Sequence, residues 1–167
     1  MSWQEEAARA WVREVLSAFD TDEQTVAVIL SGAAGPRSPK PYATVLLMAP
    51  RTIGEPDRTS TDEPVGDEYK QVITFQKQAT LSVSIFGDSL EMMSSLEASL
   101  YDRKVNDAND ARGIVVSHPK AATRTSRVPL ETSFESRTQN DFVVRWVETR
   151  ETTAPAVAGY ELTSSLT

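Results

Sequence analysis

A chain of 167 residues with a formal net charge of −7 is long enough to bury the core of one domain, and its acidity argues against general affinity for duplex DNA. The sequence contains no cysteine, which excludes disulfides, thiolate nucleophiles and most structural zinc sites. No apolar run approaches the roughly 18 residues that span a bilayer, and the acidic start is unlike a signal peptide, so we expect a cytosolic product.

The first predicted element is an amphipathic helix of about four to five turns. Ser2 can cap this helix, and Glu5 stands at the position that completes a capping box. Apolar residues then recur at helical spacing: Ala8, Trp11, Val12, Val15, Leu16 and Phe19. Because the opposite face mixes acidic and basic residues, we interpret the apolar face as core packing and not as a membrane-binding surface.

Two strands are predicted next. The apolar run 26–30 indicates a buried strand, and residues 42–49 alternate as a second one. The connector 32–41 contains three prolines, which fix φ and remove backbone donors, so neither strand can continue through it. Residues 50–68 show no period, which predicts a long acidic loop with six carboxylates set against Arg51 and Arg58.

The block 69–100 is predicted to form a strand, a tight turn at 76–78, a second strand ending at Phe86, and then a helix. The helix should span 88–101, with Asp88 as its cap and Glu91 at the capping-box position. The remaining predicted elements are a polar turn at 102–112, a short strand at 113–116, a basic irregular stretch at 119–127, a long strand at 139–147 and a possible edge strand around 160–162.

These elements predict an α+β fold: a mostly antiparallel β-sheet with two amphipathic helices packed on one face. We expect a single domain over residues 1–148 and a polar C-terminal tail over 149–167. The strands at 42–49 and 139–147 carry apolar residues on a second face, which a partner would have to cover if helices cover only the first.

No catalytic, cofactor or metal site is predicted. His118 is the only histidine, and although a Ser-His-Asp arrangement remains compatible with the composition, there is no Gly-x-Ser-x-Gly elbow. Asp102, Asp107 and Asp110 lack the glycine and terminal glutamate of an EF-hand. The stretch 32–35 lacks the Lys-Ser/Thr of a phosphate-binding loop.

Charge is segregated along the sequence. The acidic stretch 50–68 and the basic stretch 112–127 would suit head-to-tail contacts between copies, in which one patch meets a different patch on the next copy. Solvated loops with pairing inside one copy are the alternative. The candidate contact residues are Glu55, Asp57, Asp62, Glu63, Asp67, Glu68, Arg124 and Arg127.

Three segments resemble phage neck or tail terminator proteins. Residues 39–45 (PKPYATV) resemble the entry to their second strand, and 78–88 (QATLSVSIFGD) resemble their strand that leads into a helix. Residues 131–142 (ETSFESRTQNDF) resemble their irregular segment that enters the last long strand. The resemblance covers residues 3–148, with departures at Thr138, where alanine is expected, and in the long 50–68 stretch.

The resemblance implies a structural virion protein and not an enzyme. It implies a ring, hexameric in this family, that caps the tail tube, stops tube polymerisation and docks the neck and head connector. The implied partners are the protein itself, the tail tube protein, neck or connector proteins and possibly sheath, with genomic DNA passing through an acidic lumen without specific binding. The protein would assemble in the host cytoplasm and reside in the virion.

Two alternatives stay open from the sequence. One is an adaptor on the head side of the neck. The other is a small α+β enzyme or ligand-binding domain of the host that uses residues 50–68 as a lid.

Overall fold

The computed structural model describes residues 2–32, 38–60, 68–87, 89–119, 122–129 and 134–155. Its helices are α1 (Trp3–Leu16), α2 (Leu90–Ser99) and α3 (Arg103–Ala111), with a short 3-10 turn at Ser17–Phe19. Its strands are β1 (Ala27–Leu30), β2 (Tyr42–Ser60), β3 (Glu68–Phe86), β4 (Ile114–Pro119), β5 (Arg124–Pro129) and β6 (Phe134–Pro155).

The strands form one sheet in the order β1-β2-β3-β6-β4, and β5 also pairs with β6. β1 runs parallel to β2, and every other strand pair is antiparallel. The predicted α+β class and the mostly antiparallel sheet are confirmed.

The capping box of α1 explains where this helix begins. The Ser2 hydroxyl accepts from the Glu5 amide, and the Glu5 carboxylate accepts from the Ser2 amide at 2.8 Å. The apolar face of α1 is buried, and Trp11 meets Phe142 of β6 edge-on with 5.1 Å between the ring centroids. Helix α1 therefore packs on the sheet, as its periodicity predicts.

The hydrophobic core lies between the helices and one face of the sheet. Each strand points alternate residues towards it, as a strand covered on one face must. The strand residues in this core are Val28, Ala43, Val45, Ala79, Leu81, Val83, Ile85, Ile114, Val116, Phe142, Val144 and Trp146. Burying each large side chain contributes about 1.5–3 kcal/mol.

The opposite face of the sheet is only partly apolar at the end where β2 begins. Tyr42 stacks on Phe86 with 4.8 Å between ring centroids, and Arg137 lies over Phe86 while donating to the Ser84 hydroxyl at 3.0 Å. Tyr42 and Ser84 are therefore buried by neighbours on their own face. Leu46, further along β2, is 40% exposed.

The turn predicted at 76–78 is wrong. β3 runs unbroken from Glu68 to Phe86, and all of its residues pair with β6. The polar Gln-Lys-Gln segment interrupts the apolar pattern but lacks the glycine, asparagine or aspartate that tight turns favour. Lys77 is held in the strand by the Glu148 carboxylate at 3.5 Å and the Thr52 hydroxyl at 2.9 Å.

The prediction of a loop over 50–68 is wrong for residues 50–60 and for Glu68. Residues 50–60 belong to β2, which continues to Ser60, and Glu68 is the first residue of β3. Gly54 and Pro56, which suggested a loop, lie where the β2–β3 register shifts between Ile53 and Asp57. An edge strand tolerates proline at such a bulge. Residues 61–67 lie outside the described residues.

Three smaller predictions also need correction. Residues 103–111 form α3 and not a turn, with the Asp102 side chain accepting from the Lys104 amide at 2.8 Å. Residues 124–127 of the stretch predicted to be irregular belong to β5. The N-cap of α2 is Ser89, whose hydroxyl donates to Thr138 at 2.7 Å instead of capping the helix. Asp88 and the proposed strand at 160–162 lie outside the described residues.

Candidate assembly surfaces

A three-stranded segment extends beyond the core. It comprises residues 53–60 of β2, 68–76 of β3 and 147–155 of β6, and we call it the ribbon. The core stops at Ala79 on β3 and Trp146 on β6, and no described side chain of the ribbon is buried. Nine paired residues give the ribbon a length of about 30 Å.

The sheet narrows at the ribbon because its outer strands stop. β1 ends opposite Val45, and β4 begins opposite Trp146. Within the described part of the chain, the ribbon has no strand beyond β2 or β6. Among these described residues neither edge has a further strand to pair with, and strand edges of this kind in natural sheets are covered, blocked or used for pairing with another chain.

Charged pairs add little to the stability of the ribbon. Lys70 lies 2.7 Å from Glu151 across the β3–β6 ladder, but both side chains are about half exposed. Such surface pairs contribute about 0.2–1 kcal/mol. A three-stranded sheet without a packed face is marginal in water, so the ribbon is a surface that contact with another molecule would stabilise.

The described acidic residues among the candidate contacts lie on this ribbon. Glu55 and Asp57 are on β2, and Glu68 begins β3. Asp62, Glu63 and Asp67 lie outside the described residues.

The basic candidate contact residues lie at the other end of the sheet, on β5. Arg124 pairs with Gln139 of β6, and Arg127 pairs with Ser136. Asp57 instead aligns, through Thr74 of β3, with Thr149 of β6. Ser136 and Thr149 are 13 residues apart, which is about 44 Å along a strand. Asp57 and Arg127 therefore cannot pair within one copy.

β5 is an exposed strand. Five of its six residues are exposed, and Phe134, at the start of the β6 segment that pairs with it, is 70% exposed. Arg124 lies 3.5 Å from Asp141, a long contact for an arginine that is mostly exposed. Arg127 has no ion-pair partner among the described residues. This end of the sheet presents basic groups beside a large apolar side chain.

An apolar groove of about 360 Å³ lies where the ribbon joins the body. Its wall includes Trp3 of α1, Val115 of β4, and Trp146 and Val147 of β6. Val115 is 51% exposed and Val147 58% exposed. The Trp146 indole N–H is buried and has no hydrogen-bond partner in the described part of the chain. Sequence reasoning missed this groove because it joins residues from distant elements.

Comparison with protein families matches residues 5–163 to the phage neck terminator protein family. The match covers nearly the whole sequence. The chain belongs to this family. No curated protein matches it in a sequence search. The resemblance that the three motifs indicated is therefore confirmed, and the protein is a structural component of the phage neck or tail.

The described residues of this neck terminator offer no metal site. Among them, no three His, Cys, Asp or Glu side chains come together in a way that could hold an ion. Asp102 is committed to capping α3, and the side chain of His118 lies outside the description.

None of the described helices is both long and apolar enough to cross a bilayer.

Proposed function

We propose that this neck terminator assembles as a hexameric ring on the last ring of the tail tube, stops tube polymerisation and joins the tail to the neck and head connector. The family match supports a neck or tail role. The observation that carries the proposal is the ribbon, about 30 Å of sheet in which none of the described side chains is buried. Such an element suits a protein whose final packing is completed by its neighbours.

The ring would be built from head-to-tail contacts. Glu55 and Asp57 of one copy, with Asp62, Glu63, Asp67 and Glu68 after them, would meet Arg124 and Arg127 of the next copy. The separation of about 44 Å between Asp57 and Arg127 along the sheet supports this arrangement, because it prevents these two residues from pairing inside one copy. Two different patches on each subunit make a heterologous contact, which closes into a ring when the rotation allows.

The mechanism would be steric and would involve no catalysis, metal or cofactor. One face of the ring would resemble a further tube subunit, and the other would present a different surface to the neck, with sheath as a further partner in contractile tails. Genomic DNA would pass through the lumen, where the net charge of −7 disfavours retention of phosphates. Assembly would take place in the host cytoplasm before the protein enters the virion.

Negative-stain electron microscopy and light scattering test this proposal. The purified protein, alone or with tube protein, should give ring particles with sixfold averages, and added protein should limit tube growth. A strict monomer at every concentration, with no effect on tube length, would overturn the proposal. Density on the head side of the connector in whole virions would instead identify a head-side adaptor.

A further inference from the structure

Two apolar features are exposed at opposite ends of the sheet. One is the groove at the base of the ribbon, where Trp3, Val115 and Val147 are each about half exposed. The other is Phe134, which is 70% exposed beside β5. Apolar residues that are exposed together, with polar residues around them, mark surfaces that contact other proteins. The chemistry of the two features shows how they fit each other.

The wall of the groove suits an apolar side chain, because two of its charged residues are engaged inside the same copy. Lys77 Nζ lies 3.5 Å from the Glu148 carboxylate and donates to the Thr52 hydroxyl at 2.9 Å. Arg145 Nε donates to the Gln78 side-chain oxygen at 3.1 Å. With about 360 Å³ of space, the groove is at the small end of the range that ligand sites occupy. It fits one large side chain and not a helix or a strand.

Aromatic rings make up much of the wall of the groove. Trp3 and Trp146 both line it. The Trp3 ring lies against the turn that precedes β4, since a Cβ added at Gly113 would be 3.7 Å from two of its ring carbons. Aromatic pairs gain from edge-to-face and offset packing beyond the area that they bury. The groove therefore favours an aromatic occupant.

Phe134 stands beside a basic residue on the same face of the sheet. Arg127 of β5 pairs with Ser136 of β6, and Pro129 pairs with Phe134. Paired residues point to one face, and so do residues two positions apart on a strand, so Arg127 and Phe134 share a face. Their offset along the strands is two residues, which is about 7 Å. This end of the sheet presents a guanidinium group next to an exposed aromatic ring.

The ribbon carries the complementary pair of groups. Asp57 aligns through Thr74 with Thr149 of β6, two residues from Val147 of the groove. Asp57 and Val147 therefore share a face, and their offset along the strands is again about 7 Å. Asp57 lies two strands away from β6, a wider spacing across the sheet that a long arginine side chain accommodates. A carboxylate beside an apolar groove thus matches a guanidinium group beside an aromatic ring.

We propose that Phe134 of one copy inserts into the groove of the next copy while Arg127 meets Asp57. This inference rests on the proposed ring, whose head-to-tail contact brings β5 of one copy to the ribbon of the next, and it names the residue that anchors that contact. A buried aromatic anchor with charged groups around it is the usual arrangement at the centre of a protein interface. The second copy completes a groove that one copy leaves half exposed.

Paired cysteines test the inference, since the natural sequence has none. Positions 134 and 147 are 13 residues apart on β6, about 44 Å, so a disulfide between them cannot form within one copy. Mild oxidation of F134C/V147C should give a ladder of linked copies on non-reducing gels, with the 134–147 bond mapped by peptide mass spectrometry. The matched control F134C/L90C moves the second cysteine to an exposed apolar position on α2 and should give little linkage.

Truncation of the anchor tests the same contact without cysteines. Phe134→Ala should raise the protein concentration at which rings form by at least about tenfold, and Phe134→Leu should raise it less. The circular dichroism of the dilute protein should not change in either variant, because Phe134 is mostly exposed in a single copy. Light scattering over a concentration series measures the shift.

The outcomes separate this inference from the ring proposal. Rings that form normally in Phe134→Ala, with no 134–147 bond in F134C/V147C, would overturn the inference and leave the ring standing, and the groove would then belong to another occupant such as tube protein. Bonds between 134 and 147 that link copies without ring particles would support the inference and overturn the ring. A strict monomer in every variant and in the unmodified protein would overturn both.

Discussion

Lys40 Nζ lies 3.1 Å from the carboxylate of Glu135, whose side chain is fully buried at the start of β6. Lys40 precedes β2 in the proline-rich connector. The pair therefore ties the entry of β2 to β6, with the end of β3 between these two strands. A buried carboxylate is costly when a charged partner is removed, so this contact stabilises the end of the sheet opposite the ribbon.

Replacing Lys40 should destabilise the fold. Lys40→Met keeps the apolar stem but removes the ammonium group, and we expect a loss of about 1–3 kcal/mol in the free energy of unfolding. Urea unfolding followed by circular dichroism measures this loss. Lys104→Met on the exposed side of α3 is the control and should stay within about 0.5 kcal/mol of the unmodified protein. Equal effects of the two variants would contradict a stabilising role for the pair.

Charge reversal should separate and then restore the proposed subunit contact. E55K/D57K and R124E/R127E should each shift light scattering from rings towards monomers, because each places like charges across the contact. An equimolar mixture should recover association, since each variant can then meet its opposite. R103E/K104E on α3 should leave ring formation unchanged. Rings that persist in both variants would locate the subunit contact elsewhere on the protein.

Substitution of Gly87 should be more harmful than substitution of another glycine with positive φ. Gly87 has φ +105°, and an added Cβ would lie 3.5 Å from Pro41. Gly54 has φ +69° with open space around it. Residues other than glycine tolerate the left-handed region near +60° better than angles beyond it. We expect Gly87→Ala to cost at least about 1 kcal/mol more than Gly54→Ala in urea unfolding; equal costs would contradict this.

The sequence predicts α1 and the core strands well because each has one buried face, and that face requires apolar residues at a regular spacing. Trp11 and Phe142 stand at the expected helical and alternating positions, and both are fully buried. The same reasoning fails at Lys77, which lies in β3 between the core and the ribbon, because polar residues replace the apolar alternation there although the strand continues. It fails again at α3, whose residues are mostly polar, so its helical period carries little apolar signal.

The spacing of residues in the sequence does not predict contacts between distant segments. Asn140 of β6 donates to the Glu97 carboxylate of α2 at 2.6 Å, and it also donates to the Thr123 hydroxyl at 3.0 Å. No local pattern couples residues 43 positions apart. The charge segregation between 50–68 and β5 was visible in the sequence, but only the strand register gives the distance that separates the two groups.

Asp20 should make the fold sensitive to acid. The Arg13 guanidinium, followed by the Val26 amide, lowers the pKa of the Asp20 carboxyl below its usual range. A lowered pKa in the folded state means that the stabilisation is present above the unfolded pKa of about 3.9 and is lost as pH falls through the folded value. Asp20→Asn should therefore lower the free energy of unfolding near neutral pH, and the difference from the unmodified protein should shrink below about pH 4.

Urea titrations from neutral to acidic pH measure this difference in the free energy of unfolding. The control is Asp22→Asn, which replaces an exposed carboxylate nearby. A constant offset at every pH would show that Asn loses packing or hydrogen bonds at this position and that the Asp20 charge is not responsible.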